Sequence, residues 1–270
     1  MSYTIEVILS CMYFKEEMLL SNNIQTDVLV INQCDCSSYV EINFNDKNGI
    51  IHKARIISTR DRGLSCSRNL ALKFATGDIL VVADDDEKFQ DHYPELILKA
   101  YLENSSADIV LFNIYSNRNL RPPIKKKRKV WYAHALRISS QQITFKKESI
   151  KRKNIKFDIT MGAGTGNGGG EENRFLFDCL KRNLKLIHLP YFIARVEHNQ
   201  STWFHGYTEE YFINRGYSSR KLLGRFLGLL YILQWSLAKY TVYKNTTPFF
   251  LAIFWQLKGL FCKKAYINES

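Results

Sequence analysis

Four short apolar runs rich in β-branched residues, Ile5–Leu9, Asp27–Ile31, Asp78–Ala83 and Asp108–Ile114, punctuate the first part of the chain, separated by longer amphipathic stretches. Runs this apolar have no face to give to water, so they predict strands of a mostly parallel sheet covered by helices on both sides. Lys15–Asn22, Cys66–Ala75 and Tyr93–Leu102 are the helical candidates, the last with apolar residues at helical spacing. At 270 residues with 46% apolar side chains, the chain can fill one sizeable core.

Ligands of open α/β sheets bind beyond the carboxyl ends of the strands, so the residues after each run are where chemistry is sought. After the first run comes Ser10-Cys11, and after the second Asn32-Gln33-Cys34-Asp35. After the third come Asp84, Asp85 and Asp86, followed by Glu87. Adjacent carboxylates repel one another unless a cation lies among them, and alternation along an extended segment lets Asp84 and Asp86 converge. Magnesium or manganese uses one or two protein carboxylates and fills its shell with waters and substrate phosphates, which suits so short a motif. By itself the motif also fits a solvated acidic turn.

The context narrows the choice. Thr59–Glu87 reads TRDRGLSCSRNLALKFATGDILVVADDDE, and this segment resembles the N-x-G-x-S-x-A-R-N, A-x-G-D and D-x-D series of family 2 glycosyltransferases of the GT-A fold. Asp61, Gly63, Ser65, Arg68, Asn69, Gly77, Asp84 and Asp86 fall at matching positions, with Asp61 in place of the usual Asn and Ser67 in place of the usual Ala. The resemblance implies a nucleotide-diphospho-sugar-binding α/β domain in which Asp84 faces the ribose and Asp86 holds the metal on the diphosphate. Asp84 and Asp85 border both tasks. Arg60, Arg62 and Arg68 can assist the phosphates, although Arg68 equally suits a structural pairing with an acidic neighbour. Ser10, Gln33 and Asp35 are expected at the nucleotide; the family often has D-D-G-S after the second strand, so the Asn-Gln-Cys-Asp sequence here leaves the base open.

Transfer with inversion needs a base for the acceptor hydroxyl. Met161–Leu180 reads MGAGTGNGGGEENRFLFDCL, a glycine-rich loop that delivers Glu171 and Glu172 to the start of an amphipathic helix. Family members commonly carry an E-D pair here, which makes Glu172 the implied general base and Glu171 its support; helix-dipole complementarity alone also favours Glu in a first turn. The loop lacks the Lys-Ser/Thr ending of a P-loop, and its G-x-G-x-x-G match is weak among so many glycines. His198 follows a further strand candidate, where related enzymes present a histidine to the metal. The absence of a Q-x-x-R-W motif points to addition of one sugar rather than processive synthesis.

The formal charge of +12 is uneven: residues 181–270 hold 13 Lys or Arg against 4 Asp or Glu, and Arg121–Lys129 reads RPPIKKKRK. Such a distribution favours polyanions. No nucleic-acid-binding module accompanies it, so nucleic acid is not the expected partner. The apolar stretch Phe226–Ala238 is too short to span a bilayer but suits an interfacial helix beside flanking basic residues. The expectation is a catalytic domain over residues 1–210 and a helical, membrane-associating appendage over 211–270. That expectation carries with it a hexosyltransferase of cell-surface polysaccharide synthesis, peripheral on the inner face of the cell membrane, with a saccharide acceptor carried on a polyprenyl diphosphate. Six dispersed cysteines without a CxxC pattern, and an N-terminus lacking a basic n-region, agree with a reducing cytoplasm.

Overall fold

The computed structural model describes residues 3–116, 122–165, 167–196 and 206–262. It divides into two compact units, one made of residues 1–62, 66–156 and 175–199, the other of 63–65, 157–174 and 200–270.

The first unit is a mixed sheet. Its strands are β1 (Ile5–Met12), β2 (Asp27–Gln33), β3 (Ser38–Asn45), β4 (Ile51–Thr59), β5 (Ile79–Asp84), β6 (Glu87–Phe89), β7 (Ile109–Ser116), β8 (Arg128–Lys129), β9 (Ile143–Lys146) and β10 (Leu186–Val196). They run in the order β3-β4-β2-β1-β5-β9-β7-β10-β6, with β8 paired to β10. The expected parallel arrangement is found from β4 through β2 and β1 to β5, and again between β7 and β10. Short β9 runs antiparallel between β5 and β7, and β3 closes the edge antiparallel to β4. The helices of this part of the chain are α1 (Glu17–Ser21), α2 (Leu64–Phe74), α3 (Tyr93–Glu103), α4 (Tyr132–Ala135), α5 (Lys147–Arg152) and α6 (Glu171–Lys181), with a 3-10 turn at Ser140–Gln142.

Val7, Leu9, Val28, Val30, Ile79 and Val81 are wholly enclosed, as the predominantly apolar runs require. The Gly77-Asp78 pair explains itself at this level. Glu6 lies buried on β1, where it pairs with Arg55 at 2.5 Å and accepts the Thr76 and Gly77 amides at 2.6 and 2.9 Å. A Cβ at residue 77 would lie 2.6 Å from the Glu6 Cβ, so only glycine admits this approach. Asp78 then accepts the Thr4 amide and hydroxyl at 2.9 and 2.8 Å, fastening the start of β5 to β1. Those two bonds from Thr4 hold its carboxyl below the usual range.

In the second unit, α7 (Glu209–Tyr243) is broken at Gly224, whose φ of 74° only glycine adopts comfortably. Beyond the break the chain returns along its own first half. Arg215 stacks on Trp235 at 3.6 Å and reaches the Tyr231 hydroxyl, and Phe212 meets Trp235 and Tyr243 edge-on. The third helical segment, α8 (Phe249–Phe261), crosses at two glycines: a Cβ at Gly216 would lie 1.9 Å from the Gln256 carbonyl, and one at Gly259 the same distance from the Ile213 carbonyl. Three helical segments around Phe212, Tyr243 and Ala252 thus form a small core of their own.

Candidate active site

The register sets Ser10 beside Asp84 at the carboxyl ends of β1 and β5, and Met12 beside Gln33 at the ends of β1 and β2. Arg68, on the inner face of α2, is 1% exposed and gives its guanidinium to Asp84 at 3.0 and 3.3 Å. Of the two roles open to Arg68 in the sequence, the structure thus shows the acidic pairing. Asp84 also accepts from the Ser140 hydroxyl at 2.9 Å and the Gln141 amide at 3.1 Å. A carboxylate engaged by three side chains is held in one orientation, and its lone pairs are largely committed. Ser67 adds a bond to Ser10 at 2.8 Å, so the helix start and both strand ends form one polar network.

Asp85 and Asp86 reach the surface just beyond. Desolvation and the charges of Asp84 and Asp86 raise the Asp85 carboxyl above its usual range. Glu87 turns inward, 1% exposed, with no hydrogen bond to either oxygen among the described residues. Burial first, then the charge of Asp84, pushes its carboxyl well above the usual range, so the core favours the neutral form.

This accumulation of acid is what would fit a divalent cation. Among the described residues, no three His, Cys, Asp or Glu side chains converge as a full protein cage. One or two carboxylates with phosphates completing the shell is the arrangement that magnesium and manganese accept. His198 lies outside the described residues, as does Arg121 of the basic cluster.

The turn after β2 is tied down by residues that stand far from it in sequence. Asp35 receives Arg62 at 2.6 Å and the Tyr13 hydroxyl at 3.1 Å, while Arg60 donates to the Asp35 carbonyl at 3.0 Å and Arg62 to the Cys34 carbonyl at 2.8 Å. Gln33 is buried and Arg60 exposed. Arg60 and Arg62 therefore hold the turn that carries Asp35. Tyr13, at a φ of 51°, has no local sequence signal that would have singled it out; nor do Ser140 and Gln141, which reach Asp84 across more than fifty residues.

The glycine-rich loop belongs to the second unit. Leu64 donates its amide to the Ala163 carbonyl at 2.9 Å, and Ser65 its hydroxyl to the Met161 carbonyl at 2.7 Å. Gly162 has a φ of 102°, and a Cβ there would press within 3.2 Å of Ser65 Oγ and the Glu171 side chain. Glu171 is buried and Glu172 partly buried, both in the first turn of α6. Farther round, Asp158 accepts Thr160 at 2.6 Å and Lys221 at 3.0 Å, Arg174 reaches the Lys221 carbonyl, and Ser218 the Gly169 carbonyl at 3.0 Å. The loop is thereby fastened to α7 by named bonds at several points.

With strand ends, acidic motif and glycine loop in place, the comparison with known proteins is direct. Glycosyl transferase family 2 matches residues 19–168, more than half of the chain, and the chain belongs to that family. The match ends just before Glu171 and Glu172. No curated protein matches the sequence. Among solved structures, residues 1–349 of S. aureus TarS are similar at 13% identity with a TM-score of 0.60, covering 91% of this chain and 75% of that one. The same fragment in complex with UDP-GlcNAc gives 13% and 0.59, over 90% and 74%. Of the longer TarS structure this chain covers 44%, at a TM-score of 0.58. The architecture is accordingly of GT-A type, a mixed α/β sheet flanked by helices with a helical C-terminal region.

Proposed function

We propose that this chain transfers a single hexose from a nucleotide diphosphate sugar to a saccharide acceptor, with inversion and with the help of magnesium or manganese. The observation that carries the reading is the Arg68–Asp84 lock at the end of β5, which leaves Asp86 exposed beside it, in a chain of glycosyl transferase family 2. The UDP-GlcNAc complex of the TarS fragment makes a uridine diphosphate sugar the first donor to try.

In this assignment Ser10, Gln33, Asp35 and Arg60 contact the nucleotide, and Asp84 and Asp85 border the ribose. Arg68 acts by holding Asp84. Asp86 would hold the divalent ion, with His198 and whatever lone pair of Asp84 is left by Arg68, Ser140 and Gln141 as further ligands; the ion would neutralise charge on the departing diphosphate. Glu172 takes the proton of the acceptor hydroxyl as that oxygen attacks the anomeric carbon and the sugar–phosphate bond breaks. Buried Glu171, against Gly162 and Ser65, supports it. A positioned base contributes about 10²–10⁴ in rate.

Residues 1–210 carry catalysis in this reading, and 211–270 meet an anionic membrane surface where a polyprenyl-diphosphate-linked acceptor is presented, on the inner face of the cell membrane, in cell-surface polysaccharide synthesis. Among the described residues no helix is long and apolar enough to cross a membrane. The support is an outward stripe at helical spacing, Phe226, Leu230, Leu233, Leu237 and Tyr240, with Phe250, Phe254 and Phe261 exposed on α8, in a unit that also carries Arg220, Arg225, Lys239, Lys244 and Lys258.

Two experiments test these assignments. Thermal stabilisation by a panel of nucleotide sugars with manganese should single out one donor, and Asp86→Ala should abolish the manganese-dependent part; no response from any donor would remove the donor assignment. Flotation with vesicles containing phosphatidylglycerol should retain the full chain and lose a Phe226→Glu/Leu237→Glu/Phe250→Glu variant, whereas equal recovery of both would remove the membrane assignment.

A further inference from the structure

The turn Cys34-Asp35-Cys36 lies beyond the carboxyl end of β2, and no step of the proposed transfer uses its thiols. The two sulfurs are 3.5 Å apart, Cys34 nearly buried and Cys36 exposed. A disulfide brings sulfurs to about 2.05 Å, so closure asks for an approach of roughly 1.5 Å within a surface turn. We propose that Cys34 and Cys36 are a hydroperoxide-responsive dithiol whose sulfurs join in a reversible disulfide, and that the oxidised turn binds the nucleotide donor more weakly.

The surroundings assign the order of events. Cys34 is the sulfur that ionises: the Cys36 backbone foremost, then the Cys36 and Ser58 side chains and the charge of Arg62, hold its thiol below the ordinary value, and Asn32 donates its amide to the same sulfur at 3.4 Å. The partnership with Cys34 raises the Cys36 thiol. The Cys34 thiolate attacks one peroxide oxygen, the O–O bond breaks, and the other oxygen leaves as hydroxide or alkoxide that takes up a proton. The Cys34 sulfenic acid is then attacked by the Cys36 sulfur; the S–O bond breaks, and the hydroxyl departs with the Cys36 proton as water. Two thiols lose two electrons in all, and the peroxide gains them. Of the other thiols, burial pushes Cys11 up to about 12 and raises Cys66 and Cys179, which leaves exposed Cys262 as the competitor that peptide mapping must separate. A disulfide closing so short and exposed a turn belongs to the easily reduced class.

The consequence for binding follows from what the turn carries. Between the sulfurs stand the Asp35 carboxylate and the Cys34 and Asp35 carbonyls, which Arg60, Arg62 and Tyr13 grip. Drawing the two sulfurs together pulls on this gripped stretch and shifts Asp35 within it. Loss of one hydrogen bond to a charged group corresponds to about tenfold or more in affinity. This second half rests on the reading of Gln33 and Asp35 as donor contacts; the disulfide does not.

The test is peroxide titration of the full chain, alkylation of remaining thiols and peptide mapping. The expected result is loss of two hydrogens and of two alkylatable thiols, both mapping to Cys34 and Cys36 and both restored by dithiothreitol. Cys36→Ser should stop at a sulfenic acid on residue 34 that dimedone traps, and Cys34→Ser should leave residue 36 reduced. Oxidation mapping to other cysteines, or a Cys34–Cys36 pair that stays alkylatable while the others oxidise, overturns the proposal. Calorimetric titration of oxidised protein with the donor that stabilises the reduced form should show affinity about tenfold weaker or worse. Unchanged affinity overturns the binding half. Absence of donor binding by reduced protein counts instead against the proposed function, with the mapped disulfide unaffected.

Discussion

Arg68→Met tests whether the site is organised around one buried ion pair. The arginine is 1% exposed and faces an Asp84 side chain that is 17% exposed, so little water is at hand to replace it. Methionine fills similar space but leaves Asp84 without a counter-charge beside Asp85 and Asp86, with only Ser140 and Gln141 still donating. Removing one partner of a buried pair costs about 3–5 kcal/mol. At roughly 2–4 °C per kcal/mol for a chain of this size, the unfolding midpoint should drop by about 6–20 °C. Asp84→Asn should cost less, and the double variant Arg68→Met/Asp84→Asn should be more stable than the two single losses predict, by about 1–3 kcal/mol. Calorimetry of the four proteins in chelator-containing buffer measures this cycle. A loss below about 1 kcal/mol for Arg68→Met, the worth of a surface pair, or strict additivity in the cycle, would refute the reasoning.

Other substitutions probe separate parts of the account. Gly77→Ala puts a methyl against Glu6 and the β1 backbone and should destabilise by about 1–3 kcal/mol, read as a lowered urea midpoint at unchanged slope. The folded state holds the Glu87 proton more tightly than the unfolded chain does, so the stability it contributes is present at low pH and is lost as pH rises through the raised value. Glu87→Gln carries no such proton, and its midpoint relative to wild type should rise as pH climbs above the ordinary carboxylate range; a difference independent of pH would show that Glu87 does not titrate as described. Gly162→Ala strains a φ of 102° and crowds Glu171, so sugar transfer should fall while donor-induced stabilisation persists; loss of both together would mean that the loop serves binding rather than the base.

Much of this arrangement was legible because it is written in local pattern. The four apolar runs announce β1, β2, β5 and β7, since strands enclosed on both faces carry a polar side chain only where, like Glu6, it finds partners. The Gly-Asp pair before β5 marks a place where backbone must approach Glu6. Other features were hidden for physical reasons. Four-residue β9 becomes a strand only by fitting between β5 and β7, a choice made by pairing rather than by its own sequence. The β3–β4 hairpin did carry a signal, the Asn-Asp-Lys-Asn-Gly turn, in which Asp46 accepts the Asn48 and Ile50 amides and Gly49 takes a φ of 78°. Ser140 and Gln141 gave none, because what matters about them is their distance to Asp84 after folding. The C-terminal apolar stretch reads as one amphipathic helix, and only the left-handed Gly224 shows that the chain doubles back there.

Cleavage of an activated sugar is the chemistry on which the proposed function rests. Release of nucleoside diphosphate should be followed for wild type and Glu172→Gln, with the donor that stabilises the protein and with manganese present. Wild type should release it slowly and faster with a saccharide acceptor, and Glu172→Gln should lose about 10²–10⁴ of the acceptor-stimulated rate at undiminished donor affinity. No release from any donor, or a Glu172→Gln rate equal to wild type, would contradict the proposed function.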